Sequence, residues 1–348
     1  MACSQTLKTR RSQSLTTSTV DSNQAEDVSE ARPSPSKSGR RYSLMTGRDR
    51  RVLVAMVGVP TFLHVSLIWV PAIFSLGLSF TKWNGFSLSR ISWRGLKNYQ
   101  QIFTVFEKDF YEAVLNNLWV LFFLFVIATP LGMFIAYLLD KNLRGTTIYQ
   151  SLLYFPVVLS LAVVGFIWKS VIYSPRQGLL NTALGRTAEG NQIDWLGNSD
   201  FVIQLTENYG LSRNFLALIA PLIWQHVGYI MVLYLAGLKS VDPSMREAAG
   251  IDGATEWQAF RKVIAPSLRP VNVVIMVITV ITGLRVFDIV DVLNNPTGTD
   301  VLSLLVTEAT SGESSNLGRG SAYATILLAL CFAFVVWYLR STFKEEEA

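Results

Sequence analysis

The chain has 348 residues, half of them apolar and only 16% charged, with a mean hydropathy of +0.34, which sets it apart from soluble globular domains. Its net charge of +5 and pI near 9.2 come from segregated basic clusters, so the basicity reads as membrane anchoring and nucleic-acid binding is not needed to explain it. The two cysteines and two histidines, Cys3, Cys331, His64 and His226, support neither a disulfide framework nor a metal site, and no cofactor is expected on this chain.

Residues 1–51 are polar, rich in Ser, Thr, Arg and Gln, and contain Pro33 and Pro35 but little that could form a core. A disordered basic cytoplasmic tail is expected there. No apolar run follows the early charges before Val52, which argues against a signal peptide. Arg40, Arg41, Arg48, Arg50 and Arg51 cluster just ahead of that run. They read as a topology anchor near anionic lipid, with regulation by Ser or Thr phosphorylation as the other reading.

Charge-free runs cover Val52–Thr81, Ala113–Leu139, Gly145–Trp168, Asn214–Leu238 and Gly320–Leu339, each long enough for a hydrocarbon core that needs about 20 residues. A sixth run, Pro270–Leu284, reaches full length only if Arg285 and Asp288 belong to the same helix. The fold class predicted is therefore all-α, a polytopic membrane protein with six transmembrane helices over residues 52–348. Most of the 30 Lys and Arg residues fall in 1–51, 140–144, 239–269 and 340–348, so the positive-inside bias places both termini and the 239–269 segment in the cytoplasm. Prolines 60, 71, 130, 156 and 221 lie inside the apolar runs, where each removes a backbone hydrogen bond and is expected to kink its helix.

Between the first two spans, Gly95-Leu96-Lys97-Asn98-Tyr99-Gln100-Gln101-Ile102-Phe103 reads as a short amphipathic helix with Leu96, Tyr99, Ile102 and Phe103 on one side. The segment Ser174–Arg213 is long for a structureless connection. It is either a landing surface for an extracytoplasmic binding protein or packing over the span ends.

The cytoplasmic segment 239–269 has strong helix formers, a glycine break and a second amphipathic run, an arrangement suited to docking. Glu247, Ala248, Ala249, Gly253 and Pro266 fall on the pattern E-A-A, three residues, G, nine residues, I, one residue, L-P. Val263 stands for the isoleucine and Ala265 for the leucine. Glu247 is read as favoured by the dipole of a short helix, Ala248 and Ala249 as permitting close approach, Gly253 as the turn and Pro266 as the helix stop. On these residues, together with Asp252-Gly253-Ala254, Phe260 and the Trp83-Asn84-Gly85 and Gly95–Phe103 segments, the chain resembles permease subunits of carbohydrate ATP-binding-cassette importers of the maltose and glycerol-phosphate type.

That resemblance implies a non-catalytic permease in a bacterial-type inner (plasma) membrane. It also implies a second permease subunit, two cytosolic ATPase subunits and an extracytoplasmic solute-binding protein as partners, with Glu247, Ala248, Ala249, Asp252 and Gly253 coupling ATPase closure to alternating access. The chain has no G-x-x-x-x-G-K-[ST] run of its own. In relatives a Gly-Gly-Pro turn follows the fifth span, whereas Asn294-Asn295-Pro296-Thr297-Gly298 stands here.

Polar side chains within spans are the default pathway candidates: Gln225, His226 and Tyr229 on the fourth span and Thr279, Thr282 and Gly283 on the fifth. Neutral hydrogen-bonding groups beside aromatic faces suit a sugar, expected to be a di- or oligosaccharide, although each residue individually can equally be interhelical glue. Arg285 and Asp288, spaced i, i+3, either neutralise each other or leave the arginine to attract an anionic headgroup, which points to a glycerol-phosphate-like substrate. The rival from another class is an ion-coupled secondary transporter, which needs buried carboxylates that the five long runs lack.

Overall fold

The computed structural model describes residues 46–141, 144–293, 298–311 and 315–344; the expected disordered tail up to residue 45 and most of the 294–298 turn lie outside them. The chain divides into two units, Met1–Thr61 and Phe62–Ala348. The first contains most of α1 (Gly47–His64), none of whose residues is buried. This helix begins before Val52, because Thr46 and Asp49 exchange caps: the Thr46 N–H donates to Asp49 Oδ2 at 3.1 Å and the Asp49 N–H to Thr46 Oγ1 at 3.4 Å. Arg48, Arg50 and Arg51 thus open a helix.

The second unit runs through α2 (Val70–Leu78), α3 (Lys97–Thr104), α4 (Glu107–Phe123), α5 (Thr129–Asp140), α6 (Thr146–Val158), α7 (Leu161–Ile167), α8 (Leu179–Ala183) and α9 (Arg213–Ser240). It continues with α10 (Pro243–Ile251), α11 (Glu256–Ala259), α12 (Ala265–Ser267), α13 (Arg269–Leu284), α14 (Asp288–Leu293), α15 (Leu302–Ser311) and α16 (Leu317–Lys344). Two small antiparallel hairpins, β1 (Thr81–Lys82) with β2 (Ser92–Trp93) and β3 (Phe201–Gln204) with β4 (Gly210–Ser212), sit in the connections.

Among the described residues, Gly47–Leu78, Glu107–Asp140, Arg213–Ser240 and Leu317–Thr342 are long and apolar enough to span a membrane. Two bent pairs qualify only when joined: Thr146–Val158 with Leu161–Ile172, at 101°, and Glu256–Ser267 with Arg269–Leu284, at 70°. Six spans result when each bent pair is one crossing. The first bend falls where Leu159 and Ser160 are extended and the Ser160 hydroxyl caps α7 by accepting from Val163 N at 3.3 Å. The second falls at Leu268, so Pro266 sits inside the short α12 and does not stop the helix.

Proline leaves a specific mark on the spans. The wide π-helical turns Val65–Trp69, Leu124–Ala128 and Phe260–Ile264 each end two residues before a proline, Pro71, Pro130 and Pro266 respectively. A proline ring crowds the carbonyl one turn earlier and brings no N–H, and an inserted residue relieves both problems without a sharp kink. At Pro130 the neighbouring Thr129 hydroxyl takes up the Leu124 carbonyl at 3.0 Å.

The buried axis of the bundle is α9. Small residues let backbones close on it: a side chain at Gly132 of α5 meets Ile230, one at Gly228 meets the Leu153 carbonyl of α6, and one at Gly237 meets Val271 of α13. Around these contacts Ile230, Met231, Leu235, Phe260, Ile264 and Leu268 form one apolar cluster; Phe215, Leu218, Ile219, Ile289 and Val290 belong to another. In the connection ahead of α4, Asn98 is fully buried and donates to the Ser79 and Thr81 carbonyls at 2.7 and 2.8 Å. The inner side of α3 is therefore Asn98, Tyr99 and Ile102, whereas Leu96 precedes the helix and is exposed.

Candidate functional site

The 239–269 loop is built by capping. Asp242 accepts from Ser244 N at 2.9 Å and starts α10, and that hydrogen bond holds its carboxyl below the usual range. Glu247 is beyond the first turn, so the dipole role assigned to it falls to Asp242. The helix ends in a Schellman motif: Ala254 N donates to Ala249 O at 3.0 Å and Gly253 N to Gly250 O at 3.1 Å, with Gly253 at φ +75°. Thr255 and Gln258 then form a reciprocal capping box that opens α11.

The loop is anchored on one side and bare on the other. Arg246 reaches Asp140 at the end of α5, 2.5 Å between Nη2 and Oδ2, and Lys141 pairs with Glu256 while lying over the Tyr137 ring. Tyr137 in turn packs on Phe260, their centroids 4.5 Å apart. Ala249 faces inward at 6% exposure, while Glu247, Ala248, Asp252 and Gly253 are exposed. Beside them stand Ile251 at 87% and Trp257 at 60% exposure. The motif does not specify these two apolar knobs or the anchors Asp140 and Lys141. The complementary charges of the short 140–144 segment and the loop were the available signal for the anchors.

The intramembrane set divides. Gln225 donates to the Pro156 and Leu159 carbonyls at 3.2 and 2.8 Å, tying α9 to the α6–α7 bend. His226 Nε2 and Thr279 Oγ1 lie 3.1 Å apart, both buried, and join α9 to α13. A side chain at Gly283 would strike Leu121 of α4. Tyr229 and Thr282 are only partly buried, and the Tyr229 ring is 6.3 Å from that of His226.

Helix α13 ends at Leu284 with Arg285 as its C-cap, and Asp288 begins α14. The expected full-length helix carrying both charges is not formed. Arg285 and Asp288 are both exposed and make no ion pair with each other, because the break turns their side chains out of i, i+3 register. Arg285 instead lines an open groove of about 620 Å³ with Ile281, Ser303, Thr307, Leu328 and Cys331, between α13, α15 and α16. Asn117, which the charge-free run concealed, fixes this region by donating to the Gly283 and Leu284 carbonyls at 2.8 and 3.3 Å and accepting from Leu302 N at 3.0 Å.

A bundle of apolar helices with a polar loop anchored at one end and bare on its other side is the architecture of a membrane-embedded subunit with a docking element. Residues 128–342 match the model of the binding-protein-dependent transport system inner membrane component family, and the chain belongs to that family. It is thus a multi-pass inner-membrane permease subunit. It is 30% identical over 292 residues to the xylose/arabinose import permease protein XacH of Haloferax volcanii, covering 83% of this chain and 87% of that one. To the osmoprotective compounds uptake permease protein GgtC of Synechocystis it is 36% identical over 263 residues, 73% and 86% of the two chains. Its fold matches a chain from the crystal structure of a bacterial ABC transporter that imports the acidic polysaccharide alginate, with TM-score 0.70 at 20% identity over 85% and 96% of the chains.

Proposed function

We propose that this chain is one of two permease subunits of a sugar importer, driven by two cytosolic ATPase subunits and loaded by an extracytoplasmic binding protein. It binds no cofactor of its own. Glu247, Ala248, Ala249, Asp252 and Gly253 form the element that engages the ATPase, with Ile251 and Trp257 as its apolar contacts. The observation that carries this reading is the asymmetry of the loop: charge pairs and Phe260 anchor one side to the bundle, and the other exposes an acidic and apolar surface. A rigid, tethered element of that kind transmits displacement to α5, α9 and α13. Family membership displaces the ion-coupled alternative.

The substrate we infer is neutral and rich in hydroxyls, a di- or oligosaccharide. Tyr229 and Thr282 contact it, while Gln225, His226, Thr279 and Gly283 hold the helices that present them. The family tie to a xylose/arabinose permease and the absence of a second cation beside Arg285 among the groove residues favour this over a glycerol-phosphate-like solute. Reconstitution with the cognate ATPase, second permease and binding protein tests it. A neutral sugar should stimulate ATP hydrolysis, and uptake should survive collapse of the proton gradient at constant ATP. Stimulation by glycerol phosphate alone, or uptake lost with the gradient, overturns the reading.

A further inference from the structure

At the end of α9 opposite the loop, 28 residues or about 42 Å away, lies a half-enclosed cavity of about 440 Å³, within the size range of small-molecule sites. Trp168, Tyr173 and Trp195 line it. The Trp168 and Tyr173 rings are 5.3 Å apart, and Tyr173 and Trp195 stack at 6.1 Å and 30°. Two of these aromatics have their polar tips tied inward: the Tyr173 hydroxyl donates to Ala217 O at 2.7 Å and Trp195 Nε1 to Asn181 Oδ1 at 3.1 Å. Asn181 is itself buried and donates to the Pro175 and Ile193 carbonyls, 2.9 Å each.

Aromatic residues that merely mark a membrane interface turn their N–H and O–H toward water and headgroups. Here both are turned into the protein, which fixes the rings; Tyr173 is buried between Trp168 and Trp195, and those two partly exposed indoles are the platforms on the cavity wall. Asp194, Asn198 and Arg213 complete the wall. Asp194 Oδ1 accepts from Leu196 N and Gly197 N at 3.2 and 2.8 Å, and Asn198 Oδ1 accepts from Asp200 N at 2.9 Å. Asp194 Oδ2, the Asn198 amide N–H groups and the Arg213 guanidinium make no hydrogen bond or ion pair among the described residues.

We propose that this cavity is a sugar subsite taking one or two rings of a neutral oligosaccharide before they enter the intramembrane path. A sugar ring offers a C–H face to an aromatic platform and a rim of hydroxyls to mixed donors and acceptors, and the cavity supplies both. With the Asp194 carboxylate and the Arg213 cation as its charged groups, the wall carries no net charge, which disfavours an anion. The proposal rests on the sugar-importer reading above.

The test uses the assembled importer in lipid nanodiscs without its binding protein, titrated with maltose, trehalose and xylobiose, and with digalacturonate as the anionic comparison. Saturation-transfer NMR should detect binding of at least one neutral probe through its C–H protons. Trp195→Ala and Arg213→Gln should each weaken that binding at least tenfold with assembly and basal ATP hydrolysis unchanged, whereas Trp195→Phe should retain it. Binding that is indifferent to both variants, failure to bind a probe that the complete importer transports, or equal binding of digalacturonate overturns the subsite. If the complete importer transports none of the neutral probes and none binds, the sugar reading falls and the subsite falls with it.

Discussion

The Arg246 guanidinium meets the Asp140 carboxylate at 2.5 Å, joining the first helix of the 239–269 loop to the end of α5. Asp140 is 10% exposed and Arg246 39% in their side chains, so the pair lies between a screened surface bridge and a buried one, on the order of 1–2 kcal/mol. Asp140→Ala should lower sugar uptake several-fold while the protein still inserts and assembles. The exchange Asp140→Arg with Arg246→Asp should recover part of the loss, a coupling that a double-mutant cycle on uptake and ATPase stimulation reads directly.

Gly253 has open space where a side chain would sit, but its φ of +75° disfavours any other residue. Gly253→Ala is expected to cost about 1–2 kcal/mol and leave partial transport. Gly253→Pro cannot adopt that φ and should abolish uptake, as should Glu247→Lys by reversing the exposed charge. Both proteins should remain in the membrane fraction, and normal uptake in both refutes the docking role.

Asn117 satisfies two carbonyls of α13 and the first N–H of α15 at once. Asn117→Leu strands those groups in an apolar interior, at about 1–3 kcal/mol for each unsatisfied group. A fall of several degrees in the melting temperature of the purified complex is expected. An unchanged melting curve shows that water or lipid replaces the amide without cost.

Burial, then the negative charge of Asp109, pushes the Asp300 carboxyl above its ordinary value of 3.8. A carboxyl raised in the folded state opposes folding once it is ionised, so its cost appears as pH rises through the folded-state value and vanishes below the unfolded one. Asp300→Asn should therefore raise the melting temperature at pH 8 and lose that advantage near pH 4. A gain that is equal at both values removes the electrostatic explanation.

Because no ion pair ties Arg285 to Asp288, Arg285→Gln should leave the melting temperature of the complex in place. Tyr229→Leu and Thr282→Leu should impair sugar uptake without disturbing assembly. If Arg285→Gln selectively removes uptake of a phosphorylated solute, the arginine is a ligand contact and the neutral-sugar assignment fails.

The apolar runs and the E-A-A spacing were sufficient to recognise a membrane-spanning helical permease, since hydropathy over about 20 residues and a docking motif are local properties of the chain. The exposure of Glu247 and Gly253 was legible too, since it follows from charge and turn geometry. Tertiary structure decided what local pattern cannot encode. Whether Gln225 and His226 face a ligand or a neighbouring helix depends on where the Pro156 carbonyl and the Thr279 hydroxyl lie, 69 and 53 residues away in the chain. The end of α13 at Leu284 and the separation of Arg285 from Asp288 likewise depend on tertiary contacts, the buried Asn117 of α4 tying the Gly283 and Leu284 carbonyls to the start of α15. A polar residue in an apolar run announces only that it needs a partner, and the fold alone determines which partner it finds.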